Sequence, residues 1–247
     1  MKPITPAVLA ETPAYLVVFK PPRLHSVPLK RASDTATLLD WCAALYPETR
    51  QVCGKNHWEG GVLHRLDYET QGLVLVARTQ DALYSLSAQQ ADGLFVKEYG
   101  AVVSGATLEP VGFPPSPARY GAVPRVIESG FRAFGPGRKA VRPVLGEGYR
   151  TEFVETVACG AFTCCHLRIW RGFRHQIRCH LAWLGLPIVN DALYGGANDG
   201  GELRLCAHAF AFHDPVSGEA RRYTLDDSPY RSGSMTGVLS KYSTVSE

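Results

Sequence analysis

A short polar group in this 247-residue chain combines side chains that could act together in catalysis. His64, Arg65 and Asp67 stand just ahead of Gly72 and the apolar run Leu73 to Ala77. The run predicts a buried strand, so the carboxylate is presented on a loop that is fixed to a rigid element. A carboxylate in such a place can act as a nucleophile or as a base. A surface turn with an ion pair would also explain this group taken alone.

A second group is basic and lies further along the chain. No acidic residue occurs between Glu155 and Asp191, while four arginines and three histidines fall in that stretch. They are Arg168, Arg171, Arg174, Arg178, His166, His175 and His180. A local basic surface of this kind suits phosphate. The net charge of +3 does not by itself establish a polyanionic partner, and a solvated face with acids supplied from elsewhere is the alternative.

The composition is that of a globular protein, with 45% hydrophobic and 20% charged residues. We find no signal peptide and no apolar stretch long enough to span a membrane, and therefore expect a cytoplasmic protein with no membrane partner. The seven cysteines are odd in number and form no CxxC motif. Buried, reduced thiols are expected, and neither a zinc site nor disulfides are predicted.

The elements that must position these residues alternate irregularly between strands and helices, which indicates an α+β fold. The first dozen residues are expected to be a loose lead-in, and the Gly- and Pro-rich region 104–148 an irregular excursion with at most one short strand. The predicted strands are Tyr15 to Phe19, Leu73 to Ala77, Phe95 to Val103, Tyr149 to Ala158, Phe162 to Trp170, Leu203 to Phe212 and Ala220 to Leu225. The predicted helices are Thr35 to Tyr46, Asp81 to Gln90 and Arg174 to Leu184.

Two of these helices carry more detailed expectations. Ser33 or Asp34 is a candidate N-cap for the first helix. In the last helix, Ile177, Leu181 and Leu184 form an apolar stripe, and Arg174 and Arg178 share another face one turn apart.

Four segments, taken together in their order and spacing, resemble the RluA-type family of RNA pseudouridine synthases. They are Lys20-Pro21-Pro22, His64 to Gly72, Lys97 to Val103, and Gly172 to Leu181 with its continuation through Asn190-Asp191 to Leu193-Tyr194-Gly195. The resemblance runs from about residue 13 to 226. Each motif alone is weakly specific, whereas the long Arg-Leu-Asp and His-Gln-Ile-Arg motifs with the tyrosine between them are highly specific.

The resemblance implies a catalytic domain over 13–226, without the S4 domain of some relatives. The polar, Ser- and Gly-containing sequence that follows predicts a flexible tail over 227–247. The implied fold is a central mixed, largely antiparallel sheet with flanking helices and an RNA-binding cleft. The implied activity is that of an isomerase (an intramolecular transferase) that converts specific uridines in rRNA or tRNA to pseudouridine, as in rRNA and tRNA processing. No cofactor and no metal are implied, and a monomer is expected.

The resemblance also implies roles for individual residues. Asp67 would be the catalytic aspartate, Tyr99 the active-site tyrosine and Arg178 the arginine that pairs with the aspartate. Arg65 would fill the gap left by a flipped base. The remaining RNA- or substrate-binding candidates are His64, Leu66, Lys20, Arg174, His175, Gln176, Arg138 and Lys139.

The residue types fit this chemistry. Uracil must leave C1′ through N1, rotate and return through C5, and a carboxylate could attack the sugar or the base, or remove a proton from the sugar. These routes stay open. The sequence departs from the family pattern at Gln71, where a small hydroxyl residue is common, and at Gly172-Phe173, where the family usually has Gly-Arg. A non-catalytic RNA-binding protein of the same fold is the main alternative. A kinase-like phosphotransferase and a serine or cysteine hydrolase lack their motifs here.

Overall fold

The computed structural model describes residues 5–29, 36–54, 56–105, 110–118, 123–225 and 242–245. The chain divides into two compact units. The first unit comprises Met1–Lys97, Ala207–Asp226 and Leu239–Glu247, and the second comprises Glu98–Cys206 and Asp227–Val238. The chain passes from the first unit to the second within strand β4 (Val96–Val103) and returns within strand β8 (Leu205–His213).

The first unit is built on β-strands, including two that are fully buried. Its strands are β1 (Ala7–Glu11), β2 (Tyr15–Lys20), β3 (Gln71–Ala77), most of β8, β9 (Ala220–Leu225) and β10 (Tyr242–Val245). Their order is β1-β2-β3-β8, and β9 pairs with both β8 and β10. The pairs β1–β2, β2–β3, β8–β9 and β9–β10 are antiparallel. Every residue of β2 and β3 is buried, which agrees with their apolar runs Tyr15 to Phe19 and Leu73 to Ala77. Lys20 pairs with Gly72 at the end of the β2–β3 ladder.

The described residues of the same unit also form the α-helices α1 (Leu38–Leu45), α2 (Glu48–Gln51) and α3 (Gln80–Ala91). Helix α1 begins at a capping box, in which the Thr37 side chain accepts from the Asp40 N–H and the Asp40 side chain accepts from the Thr37 N–H. Thr37 is therefore the N-cap, and the predicted candidates Ser33 and Asp34 lie outside the described residues. None of the helices in the described part of the chain is long and apolar enough to cross a membrane.

In the described part of the second unit, four strands pair in one series and an α-helix packs beside them. Its order is β4-β7-β6-β5, where β5 is Val126–Phe134, β6 is Ala140–Cys159 and β7 is Phe162–Ile169. The pairs β5–β6 and β6–β7 are antiparallel. Helix α4 (Gln176–Trp183) packs on β6. The predicted hairpin around Cys159-Gly160 is confirmed.

Four expectations were wrong. The first dozen residues contain strand β1, which pairs with β2. Region 104–148 contains β5 and the first part of the 20-residue β6, because the two segments pair with each other through polar, Gly and Pro residues as well as apolar ones. Helix α4 begins at Gln176 and not at Arg174, and all eight of its residues are buried, so Arg174 lies outside the helix. Cys159 and Cys164 form a disulfide, because the β6–β7 pairing brings their Cα atoms to 6.1 Å.

Of the predicted tail 227–247, the structure describes residues 242–245 alone, and these form β10. The single catalytic domain over 13–226 and the tail stay predictions.

Candidate active site

The Ser26 side chain binds the backbone of the loop that carries Asp67. The Ser26 hydroxyl accepts a hydrogen bond from the Leu66 N–H at 3.0 Å and donates one to the Leu66 carbonyl at 3.1 Å. Both Ser26 and Leu66 are buried, so water cannot replace these bonds. One turn later, the Thr70 N–H donates to the Asp67 carbonyl at 3.1 Å. The backbone on both sides of the half-buried Asp67 side chain is therefore fixed.

Lys20 supplies a second support for this loop. Its ammonium group is fully buried and donates to three backbone carbonyls, those of Pro21 at 3.0 Å, Leu24 at 2.7 Å and Tyr68 at 3.4 Å. Burial lowers the pKa of Lys20 to about 7, and the nearby carboxylates of Asp67 and Glu69 partly oppose this shift. Three carbonyl acceptors require three N–H donors, which the protonated amine alone possesses.

Gly72 makes the entry into β3 possible. Its φ of +131° is a backbone conformation that L side chains rarely adopt. A Cβ atom at this position would overlap the backbone of Ala207 on the neighbouring strand β8. The chain therefore turns from the Asp67 loop into β3 at a position that accepts glycine alone.

His64 and Arg65 occupy opposite environments. The His64 ring is buried against Phe95 and Phe210, and its Nε2 accepts from the Leu75 N–H at 3.3 Å. Burial, followed by the charge of Lys97, moves the pKa of His64 well below its ordinary value, so this ring is neutral. Arg65 has a side chain that is 62% exposed and pairs with Glu59 at 3.2 Å. An RNA contact is therefore open to Arg65, whereas the His64 ring supports the loop.

In the second unit, Arg178 forms a buried, bidentate ion pair with Asp191. The Arg178 Nε donates to Asp191 Oδ2 at 2.8 Å, and its Nη2 donates to Oδ1 at 2.9 Å. The Arg178 side chain is 3% exposed and that of Asp191 is 0% exposed. Asp191 Oδ1 also accepts from the N–H groups of Leu193 and Tyr194. One carboxylate thus fixes both the guanidinium plane and the turn that follows.

Tyr194 completes the support of Arg178. Its ring centroid lies 5.6 Å from the guanidinium carbon of Arg178. Its hydroxyl accepts from the Val141 N–H at 2.9 Å and donates to the Val141 carbonyl at 3.2 Å, and it also lies 3.3 Å from His175 Nδ1. The guanidinium group of Arg178 is therefore held along one edge by Asp191 and on one face by Tyr194.

The N-terminal end of α4 is built from the predicted His-Gln motif. His175 is the residue before the helix and has a φ of +56°. Gln176 is buried; its Oε1 accepts from the Phe173 N–H at 3.0 Å and its Nε2 donates to the Arg150 carbonyl at 2.9 Å. Arg174 is exposed and precedes the helix, so it does not share a helical face with Arg178 as predicted. Gln176 here ties the helix to β6.

The other predicted site residues are distributed between the units. Tyr99 is buried on β4 in the second unit. Arg138 and Lys139 are exposed on the turn between β5 and β6, and Arg174 Nη2 donates to the Arg138 carbonyl at 3.0 Å. Asp67 belongs to the first unit and Arg178 to the second, and their predicted pairing stays a prediction.

Three residues of the site, Ser26, Asp191 and Tyr194, had no predicted role. Asp191 and Tyr194 belong to the Asn-Asp...Leu-Tyr-Gly segment that contributed to the family resemblance, so a signal was present for both. Ser26 lies in a loop without a recognisable motif, so no sequence signal indicated its role.

Comparisons with known proteins agree with the resemblance. A family model described as RNA pseudouridylate synthase matches residues 14–183. The chain is 32% identical over 225 residues to the uncharacterized RNA pseudouridine synthase YjbO of Bacillus subtilis, covering 90% of this chain and 72% of that protein. It is 36% identical over 184 residues to ribosomal large subunit pseudouridine synthase D of Xanthomonas campestris, covering 66% of this chain and 50% of that protein.

Solved structures support the fold. The structure of human RNA pseudouridylate synthase domain containing 1 covers all of this chain with a TM-score of 0.62 at 20% identity, and 92% of that chain is covered. Human RNA pseudouridylate synthase domain containing 4 gives a TM-score of 0.56 at 18% identity, with 83% of each chain covered. The predicted α+β fold with a mixed, largely antiparallel sheet is confirmed.

Proposed function

This chain belongs to the RNA pseudouridylate synthase family of isomerases, and we propose that it converts uridine to pseudouridine in RNA of the large ribosomal subunit with Asp67 as its catalytic carboxylate. The observation that carries the proposal is the construction of the Asp67 loop. Two buried side chains, Ser26 and Lys20, hold its backbone through three hydrogen bonds, two to Leu66 and one to the Tyr68 carbonyl, and Gly72 fixes its exit. Such fixation of a half-buried carboxylate is what a preorganised catalytic group requires.

The chemical roles follow from the residue types. Asp67 would attack the sugar or the base, or remove a proton from the sugar, while the uracil detaches through N1 and returns through C5. Tyr99 would stack on the base and move or share the proton lost from C5. Arg178, held by Asp191, would keep the catalytic carboxylate ionised because a cation favours its charged form. Arg65 would fill the space left by the extruded uridine.

The choice of RNA rests on the relatives. Proteins from Xanthomonas campestris and Pseudomonas aeruginosa that this chain resembles are named ribosomal large subunit pseudouridine synthases. RNA is the partner of the family as a whole. Transfer RNA is the second candidate substrate, because the family resemblance of the sequence implies either rRNA or tRNA. We also propose that the protein acts as a monomer in the cytoplasm, with Lys139, Arg138 and Arg174 holding phosphates.

A tritium-release assay tests the proposal. Purified protein is mixed with large-subunit rRNA or tRNA transcripts that carry tritium at uridine C5, and release to water is measured. We expect release from the rRNA transcript by the wild type. Asp67→Asn is expected to reduce release by at least a thousandfold because the amide can act neither as a nucleophile nor as a base. Asp81→Asn, at an exposed acid on α3, is the matched control and should keep the wild-type rate.

The outcomes separate the alternatives. Release from tRNA alone would overturn the assignment to the large ribosomal subunit and keep the enzyme. No release from either RNA, together with salt-sensitive RNA binding that Asp67→Asn retains, would favour a non-catalytic RNA-binding protein of the same fold.

A further inference from the structure

The second unit contains a cavity of about 650 Å³ that is lined by none of the proposed catalytic residues. Its walls are formed by Pro110, Val111 and Phe113, by Phe134 to Gly137 with Lys139 and Ala140, and by Leu193 and Tyr194. This volume is in the range of sites that hold small organic molecules or parts of larger ligands. Of its lining residues, Lys139 alone has a proposed contact with RNA, to phosphate, and the apolar interior has no role so far.

The interior of the cavity is apolar and aromatic. The rings of Phe113 and Phe134 meet edge to face, with centroids 6.0 Å apart and planes at 76°. Both rings are half-buried, and Tyr194 adds a third aromatic side chain to the lining. Val111, in the first wall segment, is 90% exposed. Aromatic rings that are reachable from solvent provide flat faces on which a planar group can stack.

The surroundings of the cavity are cationic. Lys139 lines it, and Arg138 is exposed beside Lys139. The Arg142 guanidinium lies 5.7 Å from the Phe134 ring centroid and donates to the Gly112 carbonyl at 2.7 Å, so it joins two walls. The sequence from 130 to 146 contains four basic residues and no acid. A ligand with a negative charge next to an apolar planar group matches this distribution.

We propose that this cavity binds an unstacked nucleobase of the RNA substrate, at a nucleotide other than the reacting uridine. The base would stack on Phe134, and Lys139 would contact the adjoining phosphate. Single-stranded RNA is characteristically read by aromatic stacking of splayed-out bases beside basic side chains. The inference rests on the proposed function, because it takes RNA as the substrate.

The cavity is connected to the proposed catalytic arginine within the same unit. Tyr194 lines the cavity, and its ring also lies beneath the Arg178 guanidinium. A base bound here would be a second anchor for the RNA close to Arg178. The cavity would therefore contribute to the choice of substrate, since one anchored nucleotide restricts which uridine can reach the catalytic groups.

Ultraviolet crosslinking tests the contact directly. The wild-type protein is irradiated with a large-subunit rRNA transcript and digested with trypsin, and nucleotide-bearing peptides are identified by mass spectrometry. We expect a crosslinked nucleotide on Phe134 in the peptide that spans residues 133–138. Crosslinks on other peptides alone would overturn the proposal. This measurement does not require turnover.

Substitutions test the energetic contribution. Phe134→Ala should weaken binding of the same transcript about tenfold, the usual effect of losing one stacking ring, and Phe134→Tyr should restore it. Lys139→Gln, at an exposed side chain, should reduce the slope of log Kd against log salt by about one. Tyr84→Ala removes an exposed aromatic ring from α3 in the first unit and is the matched control. Wild-type binding by both Phe134→Ala and Lys139→Gln would refute the inference.

Other occupants would give other results. Saturable binding of free uridine monophosphate that the rRNA transcript does not displace would mean a small-molecule site. A dimer in sedimentation that is lost in Phe134→Ala would mean a contact between copies of this chain. Either result overturns the inference. Failure of the two proposals is distinguishable, because a crosslink at Phe134 without tritium release would refute the isomerase and keep the cavity, and the reverse result would do the opposite.

Discussion

Asp191→Asn removes one charge from a buried ion pair and almost preserves the shape of the side chain. In the wild type, both guanidinium nitrogens that face Asp191 donate to it, at 2.8 and 2.9 Å. The asparagine would keep Oδ1 as the acceptor for the Leu193 and Tyr194 N–H groups. Its amide nitrogen, however, would face an N–H of Arg178. The substitution therefore leaves Arg178 without the carboxylate that compensates its charge.

The expected cost follows from the burial of both partners. Breaking a buried ion pair from one side costs about 3–5 kcal/mol, because the remaining charge is neither solvated nor paired. In a chain of this length, each kcal/mol lowers the melting temperature by roughly 2–4 °C. We therefore expect Asp191→Asn to lower it by about 6–20 °C.

Thermal unfolding monitored by circular dichroism measures this shift. Glu219→Gln is the control: it also breaks a carboxylate–arginine pair, with Arg221, but the Glu219 side chain is 64% exposed. An exposed pair contributes about 0–1 kcal/mol, so the control should melt within a few degrees of the wild type. An Asp191→Asn protein that melts with the control would refute the reasoning.

A double substitution separates stability from catalysis. Arg178→Met together with Asp191→Asn removes the stranded cation, and most of the lost melting temperature should return because no buried charge remains. Tritium release should nevertheless stay low, since the proposed partner of the catalytic carboxylate is absent. Recovery of both melting temperature and release would mean that Arg178 acts in the fold alone.

Two further predictions concern the Asp67 loop. Ser26→Ala leaves the buried N–H and carbonyl of Leu66 without their partner, which should destabilise the protein by about 2–4 kcal/mol in chemical denaturation and reduce tritium release; Ser217→Ala, at an exposed turn, should do neither. Lys20→Met should change the pH dependence of stability. The pKa of Lys20 is lowered from 10.5 to about 7, so between these values the unfolded chain binds the additional proton and wild-type stability rises with pH, by at most about 1.4 kcal/mol per unit. Lys20→Met should lack this rise; equal slopes for the two proteins would contradict the assignment.

Local sequence patterns were sufficient to predict the strands that are fully buried and the strands that form a hairpin. The apolar runs of β2 and β3 and the turn at Cys159-Gly160 were predicted because short runs and turn residues act over a few positions. The prediction for region 104–148 was wrong because its strands form through pairing between distant residues. The paired strands β5 and β6 contain basic and small residues of the kind that is common in irregular loops. Their pairing joins residues up to 26 positions apart, such as Val126 and Glu152.

The contacts of Arg178 also depend on chain packing that a local sequence motif does not reveal. A motif can predict that Arg178 is functional and can name a carboxylate for it, but not how many carboxylates a guanidinium contacts. Asp191 reaches Arg178 because α4 ends and the chain turns back through Ile188 to Gly196, where a Cβ on Gly196 would overlap the Ile188 carbonyl. This close approach of the chain depends on how the turn packs, which no single motif predicts. Since Asp191 takes the Nε–Nη2 edge of the guanidinium, the Nη1 end is directed away from Asp191.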